Sequence, residues 1–503
     1  MTEKDQAEKP EDKDEKKQEG KKEEKPAPKD NLVESKHTVK IGGKELKYTV
    51  ITGTMVLKEE TTDREKESEG EKPKAAVFFV AYTKDGVDNK SKRPLSFSFN
   101  GGPGSSSVWM HLGLLGPRRV VLQDDGSLPQ PPFRLTDNEY SLLDRTDLVF
   151  IDPVSTGYSR AVEGEKPKEW HSFKKDIQSV GDFIRLYTTR YGRWLSPKFL
   201  IGESYGTTRA SGLAGYLQER HGLYLNGIML VSAVLDFTTI DFNLNNDLPY
   251  VMFLPGYAAT AWYHKKAGTG KALKTFLEEV QAFAAGEYAA ALLKGNGLAP
   301  GERTAIVGKV AEYTGLSREF IERSNLRIND QHFFKELLRD RGRTVGRLDS
   351  RLLGIDRLGV TERPEYDPLL TTVLGPYTAA FYDYVRSELK FELDLPYEIL
   401  SEKVHPWSYA EFENRYVHVG ETLRQAMTYN PYLKVFVANG YFDLGTPYSA
   451  TEYTFDHLGL DESLRGNISM GYYEAGHMMY IHLPSLAALK SDLAKFIQGS
   501  IPA

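Results

Sequence analysis

The sequence predicts an α/β fold, with a mostly parallel central sheet and helices on both faces, and three observations lead to this prediction. Short apolar runs, such as Asp147 to Ile151 and Lys198 to Gly202, are typical of buried parallel strands. Stretches with helical spacing of apolar residues, Phe173 to Tyr191 and Gly206 to Arg220, alternate with such runs. The alternation stops near residue 236 and resumes near residue 429, which indicates one core that carries an insertion.

The N-terminal tail, residues 1 to 34, is predicted to lie outside this core. No Leu, Ile, Val or aromatic residue precedes Leu32, so ordering the segment would bury too little apolar surface to offset its conformational entropy. Order is expected to begin near Val39. A hairpin is predicted from His37 to Val50, with its turn at Gly42-Gly43.

The remaining core elements flank the insertion. The charged stretch from Glu59 to Lys74 is expected to be an exposed loop. The expected organisation is a first core part at 35–235, a largely helical cap insertion at 236–428 and a second core part at 429–503. Apolar runs predict further strands at Ala75 to Tyr82, Leu95 to Phe99, Gly227 to Val234, Leu433 to Ala438 and Asn467 to Tyr473, before a last helix from about Pro484.

The composition narrows the classes of function. The 503 residues have a net charge of −6 and no pooled basic patch, which gives no reason to expect a nucleic-acid partner. The absence of cysteine excludes disulfides, thiolate zinc sites and cysteine nucleophiles. Neither a metal, a cofactor nor a membrane span is expected, because no metal-ligand spacing and no sufficiently long apolar run occurs. Oligomeric state stays open, and so does location: exported if a leader was removed, cytoplasmic otherwise.

A serine stands in a motif that predicts a nucleophile. Gly202 to Gly206 reads Gly-Glu-Ser-Tyr-Gly, between a predicted strand and a predicted helix. In that context G-x-S-x-G is the nucleophile elbow of the α/β-hydrolase fold, in which a tight turn exposes the serine hydroxyl. Ser204 is therefore the predicted nucleophile, and the alternative is an ordinary tight turn.

A glycine-rich loop upstream predicts the oxyanion hole. It follows the strand at Leu95 to Phe99 and reads Asn-Gly-Gly-Pro-Gly-Ser-Ser-Ser from Asn100. In this fold one backbone amide of such a loop and the amide after the nucleophile stabilise the oxyanion. The candidates are Gly102 and Tyr205.

The acid and the histidine are placed by chain order, which is serine, acid, histidine in this fold. Asp443 follows the strand predicted at Leu433 to Ala438 and is the candidate acid, with Asp456 as competitor. His477 follows the last predicted strand and is the candidate base, with His482 as competitor. His477 would accept the proton of Ser204, and Asp443 would fix the tautomer of the imidazole.

Four segments together resemble the serine carboxypeptidase family, and the chain resembles a bacterial-type member of it. They occur in the family's order and include the Gly-Glu-Ser-Tyr of the elbow. The segments are Asn100 to Ser107, Phe150 to Ser159, Gly202 to Tyr205 and Glu474 to Met478. The resemblance implies a serine-type carboxypeptidase that hydrolyses C-terminal peptide bonds through an acyl-enzyme on Ser204, with peptide or protein C-termini as substrates and no cofactor.

The resemblance also implies a subsite for the substrate's terminal carboxylate, at Asn100, Gly101 and Glu203. The family's second acidic residue in this subsite aligns with Leu114, which cannot perform that role. Two other functions therefore stay open: an esterase or acyltransferase with the same triad, and a non-catalytic binding protein on this scaffold.

The pKa of Glu203 is expected to reflect the missing partner. Two neighbouring carboxyl groups raise one another's pKa, and Leu114 removes that effect. We expect Glu203 to stay partly solvated beside the nucleophile. The enzyme would then favour less acidic conditions than a family member that has both acids.

Overall fold

The computed structural model describes residues 28–60 and 70–502, and one large sheet runs through its centre. The strands are β1 (Asn31–Ile41), β2 (Lys44–Glu60), β3 (Glu71–Lys84), β4 (Leu95–Phe99), β5 (Arg118–Val120), β6 (Leu135–Asp137), β7 (Asp147–Ile151), β8 (Arg160–Ala161), β9 (Lys198–Ser204), β10 (Gly227–Ala233), β11 (Thr344–Val345), β12 (Leu353–Gly354), β13 (Lys434–Gly440) and β14 (Ile468–Tyr473).

Helices lie between these strands and in the insertion. They are α1 (Val108–Met110), α2 (Phe173–Arg190), α3 (Tyr205–His221), α4 (Leu248–Tyr263), α5 (Leu273–Phe283), α6 (Ala289–Lys294), α7 (Pro300–Thr314), α8 (Arg318–Arg323), α9 (Asp330–Glu336), α10 (Pro368–Asp383), α11 (Gly420–Tyr429), α12 (Tyr448–Asp456), α13 (Glu462–Arg465) and α14 (Leu483–Gly499). In the part of the chain that the structure describes, no helix combines the length and the apolar character needed to cross a membrane.

The main sheet is antiparallel at one edge and parallel in the remainder. Its order is β1-β2-β3-β7-β4-β9-β10-β13-β14, with β8 paired to β3. β1 to β3 and the β3–β7 pair are antiparallel, and every pair from β7 to β14 is parallel. The prediction of a mostly parallel sheet is confirmed. The carboxyl ends of its parallel strands meet at one edge, where ligands bind in open α/β sheets.

Both faces of the sheet are covered because its central strands are apolar on both sides. On one face, Phe183 of α2, Leu213 of α3 and Leu423 of α11 pack on the sheet. On the other face, Phe381 of α10 and Leu489 of α14 do so. The prediction of helices on both faces is confirmed.

The segment expected to form a cap divides into two structural parts. Helices α4 to α9 pack mainly on one another and form a third apolar cluster, which also includes Phe442 and Leu444 from the loop after β13. Helices α10 and α11 pack on the two faces of the sheet instead. The helical layer that rests on the main sheet therefore includes residues from within the expected 236–428 boundaries.

Two expectations for the N-terminal region are corrected. β1 begins at Asn31 and pairs along its whole length with β2, so the end of the expected tail belongs to the sheet, whereas residues 1–27 lie outside the described residues. The expected loop from Glu59 to Lys74 is wrong at both ends, since Glu60 pairs with Glu71 in a continuation of β2 and β3. Residues 61–69 of that loop lie outside the described residues. The strand ends here consist of consecutive charged residues, Lys58 to Glu60 and Glu71 to Lys72, so no apolar alternation marks them as strands in the sequence.

Candidate active site

Ser204 occupies a strained turn between β9 and α3. The strand ends at this serine, whose backbone has φ +59° and ψ −131°, and the helix begins at Tyr205. A positive φ is costly for a residue with a side chain, and such strain concentrates at functional sites. Gly206 permits the turn, because a Cβ there would lie 2.8 Å from the carbonyl oxygen of Phe99. The local geometry is that of the predicted elbow.

The loop that follows β4 packs directly on this turn. A Cβ on Gly101 would lie 2.5 Å from the backbone nitrogen of Tyr205, so the approach requires glycine. Gly102 follows with φ +102°, and it lines the same pocket as Ser204. The fold therefore brings the loop of Gly102 against the backbone of Tyr205, next to the serine.

A buried ion pair between α2 and α3 also holds the loop after β4 against the turn. The guanidinium of Arg209 donates to Asp176 Oδ2 at 2.8 Å and to the carbonyl oxygen of Asn100 at 2.6 Å. The hydroxyl of Tyr205 donates to the same Asp176 oxygen at 3.1 Å. Burial raises the pKa of Asp176, while the charge and hydrogen bond of Arg209 oppose that rise. Loss of one partner from such a buried pair typically costs about 3–5 kcal/mol of stability.

Asp443 and His477 meet at the carboxyl ends of β13 and β14. Nδ1 of His477 donates to Asp443 Oδ2 at 2.7 Å, and the hydroxyl of Thr446 donates to the same oxygen at 2.7 Å. The backbone N–H groups of Gly445 and Thr446 donate to Oδ1 at 2.8 and 3.0 Å. Because Asp443 is fully buried, these four donors replace water around its carboxylate.

The environment of His477 suits a base. Burial lowers the pKa of His477, but the charge and the hydrogen bond of Asp443 outweigh this, so that the pKa is raised above its usual value. Glu203 acts in the same direction and Arg347 opposes it. With Nδ1–H directed at Asp443, the neutral imidazole carries its free lone pair on Nε2.

The backbone of the insertion supports the two loops that carry these residues. The N–H of Leu444 donates to the carbonyl oxygen of Arg347 at 2.9 Å, and the N–H of His477 donates to the carbonyl oxygen of Leu348 at 2.6 Å. One short segment therefore holds both the Asp443 loop and the His477 loop. Sequence reasoning missed it, because the two contacts join residues 97 and 129 positions apart and no local motif marks them.

Glu203 is buried beside Ser204, which corrects the expectation that it stays partly solvated. Its side chain is 2% exposed. Burial raises the pKa of Glu203 to about 7, against the lowering effects of His477 and of a hydrogen bond from Tyr480. The hydroxyl of Tyr480 donates to the two carboxylate oxygens at 3.0 and 2.8 Å, and the amide of Asn100 also donates to Oε2. Tyr480 is a partner that the sequence reasoning did not identify.

The residue in place of the family's second acid lies in the core. Leu114 is fully buried in the apolar cluster on one face of the sheet, and its carbonyl oxygen accepts a bond from Asn138 at 2.9 Å. Its side chain offers no polar group, and the side-chain hydroxyl bonded to Glu203 is that of Tyr480. The only sequence signal for Tyr480 is its position three residues after His477.

The two competitors for the triad have other environments. Asp456 is exposed at the end of α12. His482 precedes α14, where its Nδ1 and the hydroxyl of Ser485 lie 2.8 Å apart. The structure brings Asp443 and His477 together and places neither competitor with them.

A pocket of about 310 Å³ opens over Ser204. Its floor contains predicted residues from the elbow, the glycine-rich loop and the histidine loop, and its rim contains residues from the insertion. The lining includes Asn100, Gly101, Gly102, Glu203, Ser204, Thr446 and His477 from the core and Arg347, Leu348, Leu370, Val373, Leu400, Glu402 and His405 from the insertion.

The sheet order and the strained serine at the end of β9 define an α/β hydrolase. The chain belongs to the serine carboxypeptidase family, whose family model matches residues 68–477. The family resemblance identified from the four segments is confirmed.

Individual relatives are similar over shorter stretches. Pheromone-processing carboxypeptidase KEX1 from Saccharomyces cerevisiae is 32% identical over 160 residues, which are 30% of this chain and 20% of that protein. Serine carboxypeptidase-like 35 from Arabidopsis thaliana is 27% identical over 188 residues, 34% of this chain and 35% of that protein. The matched part thus spans about a fifth to a third of these curated relatives.

A solved structure extends the similarity of fold to most of the chain. The crystal structure of KEX1, a prohormone-processing carboxypeptidase from Saccharomyces cerevisiae, aligns with a TM-score of 0.50 and 16% sequence identity. The alignment covers 90% of this chain and 91% of that one. The predicted α/β-hydrolase fold is confirmed.

Proposed function

We propose that this protein is a serine-type carboxypeptidase in which Ser204, Asp443 and His477 form the catalytic triad. The observation that carries the proposal is the convergence of the strained serine and the Asp443–His477 pair on one pocket that also contains Glu203. A nucleophile, an oriented base and a buried carboxyl group are the parts needed for hydrolysis at a peptide's C-terminus.

The proposed reaction has two halves. Ser204 Oγ attacks the scissile carbonyl carbon while its proton passes to Nε2 of His477, and the N–H groups of Gly102 and Tyr205 donate to the oxyanion. The C–N bond then breaks, and the leaving amine takes the proton from His477. A water molecule repeats the sequence on the acyl-enzyme, which releases the shortened peptide and regenerates the serine.

The terminal carboxylate of the substrate is proposed to bind at Asn100, Gly101 and Glu203. A substrate carboxylate is ionised above pH 4, so Glu203 can donate to it only when protonated. A pKa of about 7 keeps Glu203 protonated through mildly acidic pH. The amide of Asn100 and the hydroxyl of Tyr480 hold the Glu203 carboxyl group in place.

We also propose that residues 236–428 act as the cap that shapes the substrate pocket. The proposal is supported by the lining of the pocket, to which two insertion segments contribute Arg347 with Leu348 and Leu400 with Glu402. These segments are joined by hydrogen bonds to the core loops rather than standing free of them.

The function is tested by digestion of a peptide with a free C-terminus and of its C-terminal amide, followed by mass spectrometry. Sequential loss of C-terminal residues, with the free acid preferred over the amide, is expected. Internal cleavage, or equal turnover of acid and amide, would contradict carboxypeptidase action and favour an endopeptidase or an esterase.

The dependence of activity on pH should reflect the ionisation of Glu203. For a free-acid peptide, kcat/KM should rise as His477 loses its proton and fall as pH passes through about 7, where Glu203 ionises and repels the substrate carboxylate. The amide substrate should lack that fall. Glu203→Gln keeps a donor at every pH, so it should remove the fall for the free acid.

Tyr480→Phe tests whether the pKa of Glu203 shifts in the expected direction. Its hydroxyl stabilises the ionised form of Glu203, so its loss should move the fall to higher pH by about one unit. Tyr473→Phe, which removes a tyrosine hydroxyl bonded to Asp492 instead, is the control and should leave the profile in place. A fall that persists unchanged in Glu203→Gln would show that another group causes it.

A further inference from the structure

The pocket over Ser204 has two rims of different charge, both formed by the insertion. One rim is Arg347 with Leu348, joined to the loops of Asp443 and His477. The other rim includes Glu402, in a segment whose Ser401 N–H donates to the carbonyl oxygen of Gly104 at 2.8 Å, beside the oxyanion loop. An anion entering the pocket is therefore attracted to the first rim and repelled from the second.

Arg347 is exposed on its rim and carries no ion pair within 4.0 Å among residues 28–60 and 70–502. Other arginines of the insertion differ: Arg351 binds Asp349 at 2.6 Å and Arg327 binds Asp247 at 2.7 Å. An arginine that lines a pocket without a counter-ion has five N–H donors available to a ligand, in the geometry that suits a carboxylate.

Acidic groups around Arg347 do not pair with it, because their oxygens are used elsewhere. Asp443, whose Oδ1 would lie 3.2 Å from a Cβ placed on Gly445, accepts four hydrogen bonds from Gly445, Thr446 and His477. Asp367 accepts bonds from the N–H groups of Leu348 at 2.9 Å and of Leu369 at 2.8 Å. Asp330 accepts from the N–H of Gln331 at 2.7 Å. These last two carboxylates hold local backbone.

We infer that Arg347 binds an acidic side chain of the substrate and gives the enzyme a preference for Asp or Glu next to the scissile bond. The inference rests on the proposed function and deepens it. The terminal carboxylate already has a subsite at Asn100, Gly101 and Glu203, on the loop after β4 and at the residue before the serine. Arg347 lies on a different wall of the pocket, beside the loop after β13. Its guanidinium carbon would lie 3.6 Å from a Cβ placed on Gly445.

The test compares kcat/KM for N-blocked dipeptides that differ only in charge. Glu-Ala against Gln-Ala places the charge on the acyl side, and Ala-Glu against Ala-Gln places it on the leaving side. The wild type should prefer Glu over Gln in one of these pairs by about two- to fivefold, the range of a solvent-exposed ion pair. Arg347→Gln should bring that ratio close to one, and about 1 M salt should reduce it in the wild type.

Two variants make the test specific to this arginine. Arg343→Gln removes an exposed charge from the same insertion, outside the pocket lining, and should leave the Glu-to-Gln ratio unchanged. Arg347→Glu should reverse the preference, so that Lys is favoured over Gln at the same position. A ratio near one in the wild type for both pairs, or an equal loss in Arg343→Gln, would overturn the inference.

A second substrate class separates this inference from the proposed function. N-blocked Glu and Gln methyl esters require no C-terminal peptide bond and report the acyl side alone. If dipeptides are not cleaved but the Glu ester is preferred and the preference depends on Arg347, the carboxypeptidase proposal fails and the role of Arg347 stands. If dipeptides are cleaved with Glu-to-Gln ratios near one, the role of Arg347 fails and the carboxypeptidase proposal stands.

Discussion

Replacement of Ser204 by Ala should abolish covalent labelling by a fluorophosphonate and lower kcat by about 10⁴ to 10⁶. The serine ends β9 in a strained turn and lines the pocket, whereas the neighbouring hydroxyl of Thr446 lies 3.3 Å from Nδ1 of His477, on the side of the ring away from the Nε2 lone pair. Labelling is read by intact-protein mass spectrometry, and kcat is measured with the peptide that the digestion assay selects.

His477→Ala should cost a similar factor, and the double variant should cost little more than either single one. The two residues act as one unit, because the serine hydroxyl is a poor nucleophile without a base and the base has no role without the serine. Additive losses would contradict the shared role.

Ser211→Ala is a matched control for the serine. It lies on α3, two turns after Ser204, and its hydroxyl donates to the carbonyl oxygen of Thr207 at 3.0 Å. This variant should keep both labelling and activity. Labelling that survives in Ser204→Ala would place the reactive group elsewhere and remove the basis of the triad.

The residues of the candidate site that the sequence predicted are those with a local signature. Ser204 stands between a strand and a helix in a five-residue motif, and Asp443 and His477 each follow a predictable strand. The carboxyl ends of parallel strands meet at one edge of the sheet, which explains why three such positions come together, and chain order then gives each its proposed role. Such positions can be predicted without knowing which distant residues they contact.

The contacts that the sequence did not predict join residues far apart in the chain. Arg209 reaches Asp176 and Asn100 because α2, α3 and the loop after β4 meet behind the elbow. Arg347 and Leu348 meet the loops of Asp443 and His477 because the insertion folds back on the core. Neither set of contacts is marked by a hydrophobic period or a motif in the sequence. Both arise only when the chain packs in three dimensions.

The prediction that Glu203 stays partly solvated was wrong for the same reason, because it depends on residues that are distant in the sequence. Its position beside a nucleophile suggested an open site, but burial depends on what covers a residue. Tyr480, from the loop after β14, and Asn100, from the loop after β4, cover it here. Desolvation therefore dominates the pKa of Glu203, where loss of a like-charged partner was expected to dominate.

Asp443→Asn should lower kcat/KM by about 10⁴ while leaving the fold intact. The backbone N–H groups of Gly445 and Thr446 both donate to Oδ1, so the amide oxygen of an asparagine must take that position. Its NH₂ group then faces Nδ1 of His477, where Oδ2 now accepts. The imidazole must present a lone pair at Nδ1 and carry its proton on Nε2, and it cannot accept the proton of Ser204.

Thr446→Val provides the contrast for this prediction. It removes one hydroxyl donor from Oδ2 and leaves the backbone donors and the Asp443–His477 bond in place, so kcat/KM should fall by no more than about tenfold. Thermal melting should show both variants folded. If Asp443→Asn retained activity within about tenfold of the wild type, the carboxylate would not set the tautomer of His477, and the acid of the triad would have to be sought among other residues.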